Sequence, residues 1–237
     1  MLRRCLESAR GGLAPGASRD GSCLCRGPGI VAGVTKLAER WNHNIHYHHV
    51  VLGALPAGSR SALDVGCGDG WLCRQLRERV PHVVGVDCDS ASIELARGQD
   101  LDGAIDYRCE DFLTAALPAE SFDLVTSIAA LHHLDPAAAL TKMAELLRPG
   151  GRLVVIGLAR SRLPADLPRE LAAVAAQLVH RFVRRQPMWQ SPAPTVWPPP
   201  HTYPQMRRLA EQALPAVQFR RHLLWRYSLV WTKPLAA

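Results

Sequence analysis

The stretch that most restricts the fold is Leu63-Asp64-Val65-Gly66-Cys67-Gly68-Asp69-Gly70, with Val84-Gly85-Val86-Asp87 following it. Ala62 to Val65 is a short apolar run that reads as a buried strand. Three alternating glycines come next, and Trp71 to Val80 carries helical periodicity. A second apolar strand then stops at a carboxylate. Glycine lets the chain turn tightly and approach a ligand closely. The helix start beyond it carries N–H groups with no intrahelical partner. An acid at the tip of the next strand can accept hydrogen bonds from a ribose diol. Strand, glycine turn, helix and strand-end acid, in that order, make a cradle for a nucleoside-bearing cofactor.

The spacing separates two kinds of nucleoside. A dinucleotide site needs G-x-G-x-x-G with an acid about 20 residues further on. Here Trp71 stands where the third glycine would fall, and an acid, Asp64, sits inside the end of the first strand. Asp64-x-Gly-x-Gly-x-Gly resembles the first motif of the class I S-adenosylmethionine-dependent methyltransferases. The resemblance continues in family order through Asp87, through Tyr107-Arg108-Cys109-Glu110-Asp111-Phe112, through Phe122-Asp123-Leu124-Val125-Thr126-Ser127, and through Leu147-Arg148-Pro149-Gly150-Gly151-Arg152-Leu153-Val154-Val155. It covers Trp41 to Gly157 well and the tail more loosely, and is closest to the broad group that includes quinone-biosynthesis and natural-product enzymes. It implies an α/β, Rossmann-like fold: a seven-stranded, mostly parallel sheet with helices on both faces and an antiparallel closing strand. It also implies S-adenosylmethionine as cofactor. Gly66, Cys67, Gly68 and Gly70 would pass their backbone against it, and Asp64 would order that loop or meet the methionine amino group. Asp87 would take the ribose hydroxyls, Cys88 would lie beside the adenine, and Asp111 would read its amino group with Phe112 as apolar cover. Ser127 would face the cofactor from the fourth strand.

Composition closes off other classes. No apolar run approaches the roughly 18 residues of a membrane span. The seven cysteines, at 5, 23, 25, 67, 73, 88 and 109, show no paired metal spacing, so neither zinc nor a disulfide framework is expected. Thiols inside the cofactor motifs fit a reducing, cytoplasmic setting. Charge is uneven: residues 1–33 hold five arginines against two acids, residues 34–159 eleven basic against sixteen acidic residues, and residues 160–237 twelve against three. A basic last third suits an acidic substrate, nucleic acid or an anionic membrane, or is simply an arginine-rich solvated surface, the reading favoured here.

Residues 1–33 hold no sustained apolar period and are expected to be a disordered extension, whether a transit-like leader or a stretch ahead of the natural start. Residues 34–237 form the expected methyltransferase domain. Within it, 34–55 reads as an N-terminal lid helix carrying Trp41-Asn42-His43-Asn44-Ile45-His46-Tyr47-His48-His49. Four histidines in seven residues invite a metal reading, but no carboxylate accompanies them, and no metal is expected. The periodicity predicts strands at 61–65, 82–86, 105–108, 123–127 and 152–157, and helices at 70–79, 90–97 and 136–147. Ser90 reads as one N-cap, and Asp135 before Pro136 as another helix start. Residues 160–202 form a substrate-cap insertion: an amphipathic helix over 165–186, which could also lie on a membrane surface, then a Pro-rich loop with Trp189 and Trp197 as a pocket wall. A helix at 203–214 and strands at 216–224 and 227–232 close the chain.

Methyl transfer from a sulfonium is an in-line displacement, so the motifs concern binding and alignment. An acceptor hydroxyl or amine still needs a base, and histidine suits neutral pH. His132 and His133 follow the fourth strand, where the family's methyl-facing wall lies; His48 and Tyr47 of the lid come next. The expected partner is a small-molecule acceptor, aromatic or apolar, methylated on oxygen, nitrogen or carbon. An RNA or protein acceptor met by the basic tail is the second reading, although Ser127-Ile128-Ala129-Ala130 stands where a base-methylating Asn/Asp-Pro-Pro-Tyr motif would. A cofactor-binding regulatory subunit is the third.

Overall fold

The computed structural model describes residues 40–183, 188–189 and 197–235. The expected extension over 1–33 and much of the Pro-rich loop lie outside the described residues. Strands β1 (Ser61–Val65), β2 (His82–Asp87), β3 (Asp106–Cys109), β4 (Phe122–Ile128), β5 (Leu147–Gly157), β6 (Gln218–Arg221) and β7 (Tyr227–Thr232) form one sheet in the order β3-β2-β1-β4-β5-β7-β6. The first five run parallel. β7 is antiparallel to β5 and to β6, and sits between them.

Side-chain alternation explains why the sheet is covered twice. Leu63, Val65, Val125, Leu153, Val155, Leu229 and Trp231 face one side, packing with residues of α4 (Pro136–Leu146) and α6 (Tyr203–Ala213). Ala62, Leu124, Val154 and Ile156 face the other, packing with residues of α1 (His48–Gly53), α2 (Trp71–Arg77) and α3 (Ser90–Gln99). The central strands are therefore buried on both faces, β1 along its whole length, whereas the edge strand β3 (Asp106–Cys109) is polar and exposed at its ends.

Local chemistry sets the helix ends, with some departures from expectation. α3 is capped by Asp89 rather than Ser90: the Asp89 carboxylate accepts from Ser92 N at 3.0 Å and from Ser92 Oγ at 2.6 Å, which a single serine oxygen could not match. α4 starts as read, with Asp135 accepting from Ala138 N at 2.8 Å and Pro136 in the first turn. The continuous helix read over 34–55 is absent from the described part. Asn42 Oδ1 accepts from Asn44 N and Ile45 N, making a side-chain-locked turn. A 3₁₀ turn, Ile45–Tyr47, then leads into the six-residue α1. α5 (Leu167–Leu178) continues as a π turn, Val179–Val183. It buries Ala173, whereas Leu167, Leu171, Val174 and Leu178 stand exposed. The small residue allows close approach, and the leucine stripe faces outward. Among the described residues no helix is long and apolar enough to cross a membrane.

Candidate active site

In an open α/β sheet ligands lie beyond the strand carboxyl ends where strand order reverses. Here that point falls between β1 and β4. Ser127 Oγ donates to Val65 O at 2.9 Å and locks the two strands together there. Ser127 is fully buried, so its hydroxyl is committed to the switch point. Just beyond, Gly66 lies against Ala130: a Cβ on Gly66 would come within 2.1 Å of the Ala130 Cβ, and Gly66 holds φ +74°. Ala129, next to it, also takes a left-handed conformation at φ 55°. Only glycine at 66 lets the loop cross the β4 tip.

The loop is held from inside. Gly66 N and Cys67 N both donate to Val86 O, Gly68 N donates to Asp87 Oδ2 at 2.8 Å, and Gly70 N donates to Cys67 O. Backbone donors expected for a ligand at these residues are thus already used. Gly70 packs under the Tyr107 ring. Cys67 turns its thiol inward against Cys73, leaving only its backbone to the loop. By contrast a Cβ at Gly68, φ +53°, would meet nothing within 4 Å, so this is the open side of the cradle.

Three carboxylates stand around that opening. Asp64 is 2% exposed; its Oδ2 accepts the Cys73 thiol at 3.5 Å, and its Oδ1 is buried with no partner. Burial, aided by the Asp87 charge and opposed by the Cys73 hydrogen bond, pushes its pKa up to about 7. Asp87 takes Gly68 N on Oδ2 and Asp89 N on Oδ1, which orients the group and leaves lone pairs for a diol. Asp111 is exposed past β3 with Leu113 N on its Oδ1. Cys88 is exposed, with burial and the Asp87 charge raising its thiol pKa. Phe112 is buried in the core beside Lys142. An unpartnered buried carboxylate oxygen, an open glycine and two acids at successive strand tips fit a cofactor that carries an ammonium and a ribose diol.

The other wall begins with the 3₁₀ turn Leu131–His133. His132 and His133 rings lie 4.1 Å apart. His132 Nδ1 is buried without a partner, and burial, then His133 and Arg226, lower its pKa to about 4. His133 is also lowered by burial, against the opposing pull of Asp87. Tyr47 donates its hydroxyl to Leu223 O at 2.7 Å, and burial raises its pKa to about 12. His48 turns to α2, where Nδ1 hydrogen-bonds Gln75 Oε1 at 2.6 Å. The structure therefore brings His132 and His133 to the crevice and commits the other two elsewhere. The Trp189 ring packs on the Arg40 guanidinium and its backbone N–H donates to Trp41 O, while Trp197 is 68% exposed. The two tryptophans do not form one wall.

Sequence reasoning missed Arg226. It is buried just ahead of β7, whose first residue, Tyr227, pairs with Gly157 at the carboxyl end of β5. Asn44 Oδ1 accepts from its Nε and Nη2, at 3.0 and 2.6 Å. The available signal was one arginine inside Leu223-Leu224-Trp225-Arg226-Tyr227, a charge interrupting an apolar run.

Strand order, glycine crossing and acid-tipped strands define a class I S-adenosylmethionine-dependent methyltransferase. Residues 63–155 match the methyltransferase domain family. An uncharacterised methyltransferase of Mycobacterium tuberculosis (strain H37Rv) is 36% identical over 198 residues, 83% of this chain and 99% of that protein. This chain belongs to that methyltransferase family. A ubiquinone biosynthesis O-methyltransferase of Chelativorans sp. is 32% identical over 149 residues, 62% of this chain and 57% of that one. The S-adenosylmethionine-dependent methyltransferase of Aquifex aeolicus shares the fold, with TM-score 0.54 and 14% identity over 78% of this chain and 88% of that one.

Proposed function

We propose that this enzyme methylates an oxygen nucleophile of a small aromatic or apolar molecule. The observation that carries this reading is His132: a half-buried imidazole, neutral at pH 7, with its Nδ1 buried and unpartnered at the tip of β4. Bound S-adenosylmethionine supplies an activated methyl group. Asp64 Oδ1 would hold its ammonium, Asp87 its ribose and Asp111 its adenine amino group, with the backbone at Gly68 alongside. His132 would accept a hydrogen bond from the acceptor hydroxyl and keep it aligned while its proton leaves to solvent, with the His133 ring tilted beside it. Most of the rate gain would come from such alignment and from excluding water. The partial likeness to ubiquinone biosynthesis O-methyltransferases supports oxygen as the atom.

A macromolecular acceptor is less well supported. Several basic side chains already face acids, as in Arg221–Asp166, Arg207–Glu211, Arg148–Asp123 and Lys233–Glu120. The segment before β1 and the insertion around α5 would cap the acceptor. Free thiols at Cys67 and Cys73, in contact with each other, support a cytoplasmic setting. Incubation with methyl-labelled cofactor, a set of small phenols and hydroxy acids, and total RNA and protein should place label in the small-molecule fraction. Label confined to RNA or protein would overturn this reading. His132→Ala should lower turnover by roughly 10- to 100-fold, as loss of one aligning hydrogen bond of about 1–3 kcal/mol does, with cofactor affinity kept.

A further inference from the structure

The acceptor side of the crevice contains a buried cation that no acid neutralises. Arg226 is 7% exposed. Its hydrogen bonds go to Asn44 Oδ1 twice and to the carbonyls of Leu224 and Trp225. All of these acceptors are neutral, and among the described residues it forms no ion pair with a carboxylate. A guanidinium has five N–H groups, and these four contacts leave one, on Nη2, for a further acceptor. A charge held this way is costly unless something pairs with it.

Its placement is specific. The antiparallel register of β7 on β5 sets Arg226 at the carboxyl end of the parallel strands, the end that carries Gly66, Asp87 and the β4 tip. Leu224 and Trp225, immediately before it, both take left-handed backbone, at φ 55° and 57°. Non-glycine residues seldom adopt this conformation unless the surroundings enforce it. Trp225 Nε1 donates to Glu170 Oε2 at 2.7 Å, which fixes the turn from outside and occupies that nearby acid. The charge is felt on several sides: it helps depress the pKa of both His43 and His132, and opposes the rise at Tyr47. His43 Nε2 is, like His132 Nδ1, buried without a partner.

From this cluster we infer that the methyl acceptor is an anion, with a carboxylate or phenolate oxygen docked on Arg226 Nη2 and its polar edge between His43 and His132. The inference rests on the reading of this crevice as a methyl-acceptor site and adds the charge class of the acceptor. A negative oxygen would give the guanidinium the partner it lacks. The same field would favour ionisation of an acceptor hydroxyl, so the weak base at His132 need only orient it. Asn44 acts as a positioning residue, tying Arg226 to the segment that covers the site.

The test is binding to protein saturated with S-adenosylhomocysteine, whose own affinity is measured first by calorimetry. One arm compares 3,4-dihydroxybenzoate with 3,4-dihydroxybenzamide and reads a carboxylate. The other compares 4-nitrophenol with 4-nitroanisole at pH 8 and reads a phenolate. At least one anion should bind tenfold or more tighter than its neutral partner. That preference should vanish in Arg226→Gln and persist, weakened, in Arg226→Lys, a variant that keeps the charge if the glutamine form does not fold. Absence of any preference for the anion in both arms, or a preference that survives in a folded Arg226→Gln, would overturn the inference. Failure to bind S-adenosylhomocysteine at all would instead count against the cofactor site.

Discussion

Asp64 is costly to the fold, and its proposed role at the cofactor site can be tested through that cost. Its pKa, about 7, lies well above the ordinary carboxylate value because burial disfavours the ion. A carboxyl raised in the folded state binds protons more tightly there than in the unfolded chain. Its contribution is therefore most favourable below the unfolded value and is lost as pH climbs through about 7. The lost stability approaches ~4 kcal/mol above that pH, at 1.36 kcal/mol per unit. Asp64→Asn removes the ionisation, so the cofactor-free variant should melt higher than wild type at pH 8, and the two should converge near pH 4. The same variant should bind S-adenosylhomocysteine at least tenfold more weakly, because Oδ1 would no longer carry charge for an ammonium. Wild-type affinity should rise with pH and level off above 7. Calorimetric titration across pH 6–8 reads both effects. An unchanged affinity in the variant would remove Asp64 from the cofactor contacts.

At the scale of elements, the site depends on one crossing, where the loop after β1 passes over the tip of β4. Gly66→Ala would force a methyl into Ala130 and place a side chain at φ +74°. Overpacking and left-handed backbone each cost about 1–3 kcal/mol. The variant should lose roughly 2–6 kcal/mol by urea denaturation, along with most of its cofactor affinity. Gly53→Ala, in α1 with ordinary φ and a Cβ that would meet nothing within 4 Å, is the control: it should keep cofactor affinity and gain at most about 1 kcal/mol. Equal behaviour of the two variants would show that the crossing is not tight. This crossing was legible in the sequence because glycine spacing and strand runs are local signals. The segment read as a lid helix was not: within its described residues, 40–55, helical periodicity was outcompeted by the Asn42 side chain, which captures the backbone of residues 44 and 45. Arg226 was illegible for a different reason. The closing strand was expected from the resemblance, but the register that sets Tyr227 opposite Gly157, and so Arg226 at the carboxyl end of β5, joins distant residues and is recorded by no local pattern.

Across the whole molecule, the histidine-rich end should be the part most sensitive to acid. Burial lowers the pKa of His43, His48, His132, His133 and His222, with His43 and His132 reaching about 4. A histidine depressed on folding binds protons better when unfolded, so its stabilising contribution is present above about pH 6.5 and is lost as pH falls toward 4. Asp64 opposes this, gaining over the same range as it protonates. Five groups against one predict a net loss of stability between pH 6.5 and 5, and a steeper loss in Asp64→Asn, which keeps the histidines and lacks the compensation. The histidines are not spread evenly. Four stand on the segment before α1, at the β4 tip and in the turn before β7, and the fifth, His48, joins α1 to α2. The central strands contain no such group. Hydrogen exchange at pH 5 should therefore show protection lost over residues 41–53 and 222–226 while β1, β4 and β5 stay protected. Uniform loss across the sheet, or no change from pH 7, would mean that the histidine-rich end is no weaker than the sheet that carries it.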